Sequence, residues 1–312
     1  MLRTDKNKIF EYLNAVLNRN TWGTIGNYSV AAAKSVVDRA GIGDTHSAVL
    51  CDSAYAAMET ILRGYFLGHG DKVIVPALSS PYISMTCATV GCEVIFADVE
   101  KGKCTVSADC IAALLSREKD VKAVICEDLL GYACDIGAIS GAIAASGCGA
   151  KLFVCTPDVL NVKYDSKPTV FSADAAVATF DASSAIDADC AAVISKNDYY
   201  DVLWSAHHCG NARINGTYEA LNAGTIAGGD MRVCEWKSAV LLCELESFAS
   251  ASPVSKTLCF ASCEKGEDSA FVPETKPVCM NRESAFLSDY YVKETGAVRK
   301  VYVCPAAEST VG

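Results

Sequence analysis

The spacing of apolar and polar positions divides the chain into helical and extended blocks. Over residues 6–18, Ile9, Tyr12, Leu13, Val16 and Leu17 recur at three- and four-residue intervals and share one face of a predicted helix. Glycines and an asparagine between Trp22 and Asn27 break that pattern. A second helix is predicted over 29–40, closed by Gly41 and Gly43 as helix C-termini often are. From there short β-branched and apolar runs, at 48–51, 72–75, 94–97, 123–126 and 151–155, alternate with helical patterns at 54–66, 83–90, 111–116 and 136–145. Asp52 and Ser53 offer an N-cap to the helix at 54–66. This rhythm predicts an α/β fold with a mainly parallel sheet covered on both faces.

Two further apolar strands, 175–180 and 191–194, are joined by a short turn rich in Asp, Ser and Ala, which reads as a hairpin-like unit. A helix over 198–205 leads into a stretch rich in glycine and asparagine, 210–229. A long helix over 233–248 then places Val233, Trp236, Val240 and Cys243 on one side, with Leu241, Leu245 and Phe248 beside them, so it packs deeply. After residue 250 the character changes. Pro253, Pro273 and Pro277 punctuate short strands, a helix is predicted over 283–294 ending at Gly296, and a strand over 299–303 closes on Pro305. The expected organisation is a large α/β domain, 1–248, and a small α+β domain, 249–312, on which the N-terminal helix is a candidate to pack.

Composition narrows the class. With 51% hydrophobic and 21% charged residues over 312 positions, the chain can bury a sizeable core. No run approaches the roughly 18 to 20 apolar residues of a membrane span. The charged, helical N-terminus lacks the apolar core of a signal peptide, so the expected location is the cytoplasm. A net charge of −10 argues against nucleic acid or an anionic membrane as partner. The 17 cysteines are odd in number and scattered through apolar runs, with no CxxC pair; Cys259 and Cys263 come nearest. They read as small buried hydrophobes in a reducing compartment, not as a disulfide framework or a zinc site.

Three clusters carry potential chemistry. Neighbours in sequence such as His207, His208 and Cys209 do not converge on one ion, so no metal is expected and a solvated or capping role is the plainer reading. Glu127 and Asp128 end a strand at the edge where α/β proteins bind ligands, and either hold a cation or sugar hydroxyls or cap a helix. Asp181, Asp187 and Asp189 surround Ser184 in the hairpin turn, either making a pocket acidic or forming a solvated turn.

The hairpin segment Ala173-Asp174-Ala175-Ala176, with Thr179-Phe180 and the closing strand at 191–195, resembles the cofactor-lysine region of the DegT/DnrJ/EryC1/StrS sugar aminotransferases, which use pyridoxal phosphate (PLP). Other segments are similar to the family in the same order. They include Gly70-Asp71-Lys72-Val73-Ile74-Val75-Pro76, Gly91 with Val94-Ile95-Phe96-Ala97-Asp98, Lys122 to Ile125, Leu129-Leu130-Gly131, Arg232 with Glu235, and Tyr291 to Gly296 before a strand and Pro305. The resemblance implies an aspartate-aminotransferase-like (fold type I) large domain. It also implies a C-terminal domain shortened after Phe248.

What the resemblance implies for chemistry is a loss. The family's lysine forms an imine with the cofactor, and the matching residue here is Ser184, which cannot. The acid that holds the pyridine nitrogen falls at Pro157, with Asp158 one residue late and so directed to the other face. The phosphate-binding Ser-Gly-Thr becomes Ser53-Ala54-Tyr55; the stacking aromatic becomes Ser80, with Tyr82 displaced. Asp230 replaces a polar contact to the anion, and Thr179 alone is conservative. No catalytic residue and no covalent cofactor are therefore expected. PLP or pyridoxamine phosphate (PMP) would enter only without the imine, or if another lysine serves. The implied roles are a silent partner in a homodimer or in a heterodimer with an active paralogue, a noncovalent binder of a nucleotide-linked sugar, and an enzyme using free PLP or PMP.

Overall fold

The computed structural model describes residues 6–19, 22–23, 26–100, 103–181, 184, 186–214, 217–219 and 226–248, with three strands near the C-terminus at 258–260, 286–292 and 297–305. Seven strands form the central sheet: β1 His46–Cys51, β2 Lys72–Pro76, β3 Glu93–Ala97, β4 Val121–Glu127, β5 Lys151–Thr156, β6 Ala175–Phe180 and β7 Cys190–Lys196. Their order is β1-β7-β6-β5-β4-β2-β3. All run parallel except β7, which lies antiparallel between β1 and β6. The hairpin-like unit is β6 and β7, paired from Cys190 opposite Phe180 to Ser195 opposite Ala175.

Among the described residues the helices are α1 Lys6–Arg19, α2 Asn27–Arg39, α3 Ala54–Gly64, α4 Pro81–Thr89, α5 Ala108–Arg117, α6 Ile136–Ser146, α7 Tyr200–His207 and α8 Glu235–Ser247. They cover the sheet from both sides because the strands alternate. In β5, Leu152 and Val154 face a core shared with α2, α5, α6 and α8, while Phe153 and Cys155 face one shared with α3, α4 and α7. Fully burying side chains such as Met58, Ile61, Ile125 and Ile139 contributes about 2 kcal/mol each. Helix α1 lies against α8. Among the described residues, no helix is long and apolar enough to cross a membrane.

Most of the described cysteines behave as small hydrophobes, while Cys148 and Cys209 are exposed. Cys51, Cys87, Cys126, Cys155, Cys190 and Cys243 are buried and unbridged, and burial pushes the Cys51 and Cys87 thiols up to about 12. Two expectations change. The helix read over 283–294 is a strand, Phe286–Val292, paired antiparallel with Ala297–Pro305 and with Leu78–Ser79. Its apolar spacing fits a helix face, but aromatic and β-branched residues in FLSDYYV also suit a pleat, and the long-range pairing decides. The two histidines at the end of α7 are not solvated. His207 and His208 are buried, the His208 ring 4.5 Å from Trp204, and burial lowers His207 to about 4. Pro253, Pro273 and Pro277, and residues 293–296, lie outside the described residues, as does most of the expected small domain.

Candidate functional site

Strand ends build the site. The C-terminal edges of β1, β2, β4, β5 and β6, with the start of antiparallel β7, bring together Ser53, Ala54, Tyr55, Ser80, Pro81, Tyr82, Glu127, Leu129, Pro157, Thr179, Asp181, Asp189 and Cys190. They line a cavity of about 300 Å³ at the carboxyl edge of the parallel strands, where open α/β sheets bind ligands.

Ser53 caps α3, its hydroxyl accepting the Ala56 N–H at 3.2 Å. That leaves Tyr55 on the first turn of α3, 46% exposed, with its ring edge-on to Tyr82 at 6.1 Å and its hydroxyl 3.8 Å from Met85 Sδ. Tyr82 is buried; burial, above all, pushes its phenol well above its ordinary value, and the hydroxyl bonds to the Cys155 thiol. Ser80 stands at the N-cap position of α4, ahead of Pro81, but its side chain makes no capping bond. Its backbone N–H donates to Glu127 Oε2 at 2.7 Å and its hydroxyl donates to Glu127 Oε1. A carboxylate from β4 thus occupies the start of α4, where the partial positive charge of a helix N-terminus is felt.

Glu127 is 5% exposed. Burial raises its pKa to about 7, against the two bonds from Ser80 that favour the charged form. Asp128, one residue on, points away from the cavity. It is fully buried, accepts from the Thr169 hydroxyl and from the Cys134 N–H at 2.9 Å, and is raised to about 6, mainly by burial. The pair is therefore split: Glu127 faces the cavity and Asp128 pins the segment that follows β4.

In the hairpin, Thr179 at the end of β6 shares a 2.7 Å hydrogen bond with Ser184, whose hydroxyl donates to Asp181 Oδ1 at 3.1 Å. The Ser184 N–H also closes a turn onto the Asp181 carbonyl at 2.9 Å. On the rim, Lys237 of α8 bridges Asp189 at 2.9 Å and Asp52 at 3.0 Å. Among the described residues, three carboxylates, Glu127, Asp181 and Asp189, line the cavity, and no lysine or arginine does.

The structure brings six of the nine sequence-predicted residues into this cavity: Ser53, Ala54, Tyr55, Ser80, Pro157 and Thr179. Ser184 joins them through Thr179. The other two are engaged elsewhere. Asp158 is buried and accepts from the Asn161 N–H at 3.1 Å and from its side-chain amide at 2.8 Å. Asp230 forms a two-pronged pair with Arg232 at 2.6 and 2.9 Å, which holds its carboxyl below the usual carboxylate range. Leu129, Cys190 and the bridging Lys237 escaped sequence reasoning. The ends of β4 and β7 pointed to the first two, whereas Lys237 carries no local signal at all.

The strand order, with one antiparallel strand second from the edge and a ligand cavity at the carboxyl ends, is that of the fold type I PLP-dependent transferases. Solved structures share it. The sugar aminotransferase Spr1654 from Streptococcus pneumoniae, in its PMP form, superposes with a TM-score of 0.67 at 17% identity, covering 78% of this chain and 65% of that one. DesI in the presence of its TDP-sugar product gives 0.68 at 22%, covering 79% and 59%. A 3-amino-5-hydroxybenzoic acid synthase gives 0.67 at 20%, covering 79% and 62%. The chain matches less than two thirds of the length of each. No curated protein matches in sequence. The family model of the DegT/DnrJ/EryC1/StrS aminotransferases matches residues 3–257, and the chain belongs to that family.

Proposed function

We propose that this chain is a catalytically silent member of its family, one that forms no imine with PLP and acts by binding. One observation carries the reading: among the described residues, the cavity at the strand ends presents Glu127, Asp181 and Asp189 and no lining cation. A phosphorylated cofactor would meet carboxylates where it needs donors, and Ser184, at the position matching the family's lysine, is already bonded to Thr179 and Asp181. Asp158, which could replace the ring-nitrogen acid, is committed to Asn161. The residues present do not fit PLP, and no step is routed through it. Pairing with a second chain, its own copy or an active relative, is the partner role the family suggests. The exposed Tyr55 and Met85 beside the cavity would be available for it.

Titrating the purified protein with PLP, with visible absorbance and borohydride trapping, tests the reading. Neither an imine band nor a trapped lysine adduct is expected. Either one would overturn the silent assignment and return the chain to the aminotransferases. Light scattering after size exclusion, alone and with an active family member, tests the pairing; a monomer in both samples would rule it out.

A further inference from the structure

The cavity has apolar and aromatic walls from Tyr55, Tyr82, Pro81, Pro157 and Leu129. Ser80 lines it beside them, with its hydroxyl and its backbone N–H both bonded to the buried Glu127. Resting on the silent reading above, we propose that this cavity binds a small uncharged carbonyl compound, whose oxygen takes a hydrogen bond from the Ser80 hydroxyl.

The two bonds between Ser80 and Glu127 differ in kind. The Ser80 N–H donates to Glu127 Oε2 at 2.7 Å, and an amide cannot reverse that direction. A proton carried by Glu127 therefore belongs on Oε1, which faces the Ser80 hydroxyl. A hydroxyl can both donate and accept. It donates to the carboxylate but accepts from the carboxylic acid, and its own hydrogen then turns toward the cavity that Ser80 lines. Burial raises Glu127 to about 7, so the acid form prevails below that pH. Around Glu127 stand Asp128 on β4, Asp181 of the hairpin, Tyr82 on α4, Cys155 on β5, and Cys104 and Cys134. None of these is a cation that would favour the carboxylate. Other lining hydroxyls are engaged: that of Tyr82 bonds to the Cys155 thiol, and that of Thr179 shares its bond with Ser184. Asp189 is paired with Lys237 and Asp181 accepts from Ser184, so neither calls for a charged occupant. About 300 Å³ lies at the lower end of ligand-sized cavities, and the walls suit a hydrocarbon body.

Acetophenone and α-methylstyrene, in which a methylene group replaces the carbonyl oxygen, are the probes, read by calorimetric titration and thermal shift of the full chain. Acetophenone is expected to bind saturably at pH 6 and about tenfold more weakly at pH 8, where only about a tenth of Glu127 keeps its proton. At pH 6 α-methylstyrene should bind about fivefold more weakly than acetophenone, with no dependence on pH. Glu127→Gln supplies an amide donor to Ser80 at every pH, so its affinity for acetophenone should be the same at pH 6 and pH 8. Ser80→Ala should weaken acetophenone at pH 6 about fivefold or more. No acetophenone binding at pH 6, equal binding of the two compounds there, a wild-type affinity that does not fall by pH 8, or a Glu127→Gln chain that keeps the wild-type pH slope overturns the proposal. An imine band with PLP overturns the silent reading instead, whatever acetophenone does, so the two failures are distinct.

Discussion

Two buried glutamates divide the molecule into a part that holds and a part that can respond. Glu235 opens α8 and is 1% exposed; its carboxylate accepts the backbone N–H groups of Gly26 at 3.0 Å, Tyr28 at 3.0 Å and Ser29 at 2.9 Å. It replaces the missing acceptors at the start of α2 and ties two helices separated by about two hundred residues. Glu127 ends β4 and is 5% exposed, but has one N–H and one hydroxyl from a single residue, with open space on its other side. Both carboxylates are buried, and Glu127 alone borders a cavity. What differs is the number of fixed donors, and that number decides whether a buried carboxylate is a structural pin or a group free to exchange a proton or meet a ligand.

The largest expected effect breaks the holding side. Glu235→Ala strands three backbone donors and should destabilise the chain by about 4 kcal/mol, read as a lower denaturation midpoint with unchanged slope; Glu235→Gln should lose about half as much. A loss below about 1 kcal/mol for Glu235→Ala would show that water or α2 itself replaces the carboxylate.

On the responsive side the sign is opposite. Glu127 is raised from 4.5 to about 7, so the folded state keeps a proton that the unfolded state has released. Its contribution is full below about pH 4.5 and is lost as pH rises through about 7. Glu127→Gln should therefore stabilise the chain at pH 8 by an amount on the order of 3 kcal/mol and have little effect near pH 4. A gain independent of pH would mean that packing, not the proton, is responsible.

His207 runs the other way. Burial lowers it from 6.5 to about 4, so its neutral form supports the fold above 6.5 and the support fades as pH falls toward 4. His207→Gln should flatten that acid limb by about 2 kcal/mol, whatever its cost at neutral pH. Between pH 4.5 and 6.5 Glu127 and His207 oppose each other, and stability in the Glu127→Gln chain should rise with pH across that window. An unchanged slope there would sink the assignment of both groups.

The smallest expected effect lies in the hairpin. Ser184→Ala removes the bonds to Thr179 and Asp181 and should cost about 1 kcal/mol with no change in PLP absorbance. Ser184→Lys sharpens the point: under the proposed silent reading the new amine is expected to pair with Asp181 and give no stable imine. A strong imine band in that variant would show that the lysine alone was lost.

Much of the fold was legible in the order of residues. Strand and helix alternation from 48 to 195, the cap at Ser53, and the pairing of the two strands around Ser184 are local patterns, and local backbone preference with period-two burial is enough to specify them. So was the absence of an amine at Ser184, since a residue type needs no structure to be read. Tertiary structure decided the rest. Phe286–Val292 has a spacing that suits a helix, and only its partners at Ala297–Pro305 and Leu78–Ser79 make it a strand. Glu127 and Asp128 are adjacent in sequence, yet the pleat sends one to the cavity and the other to Thr169 and Cys134. Asp158 was legible as a candidate for the ring-nitrogen acid, but its hydrogen bonds with Asn161 were not. The charge of the cavity is a sum over loops that meet only when five parallel strands align their carboxyl edges beside the start of β7, and no single stretch of sequence contains that sum.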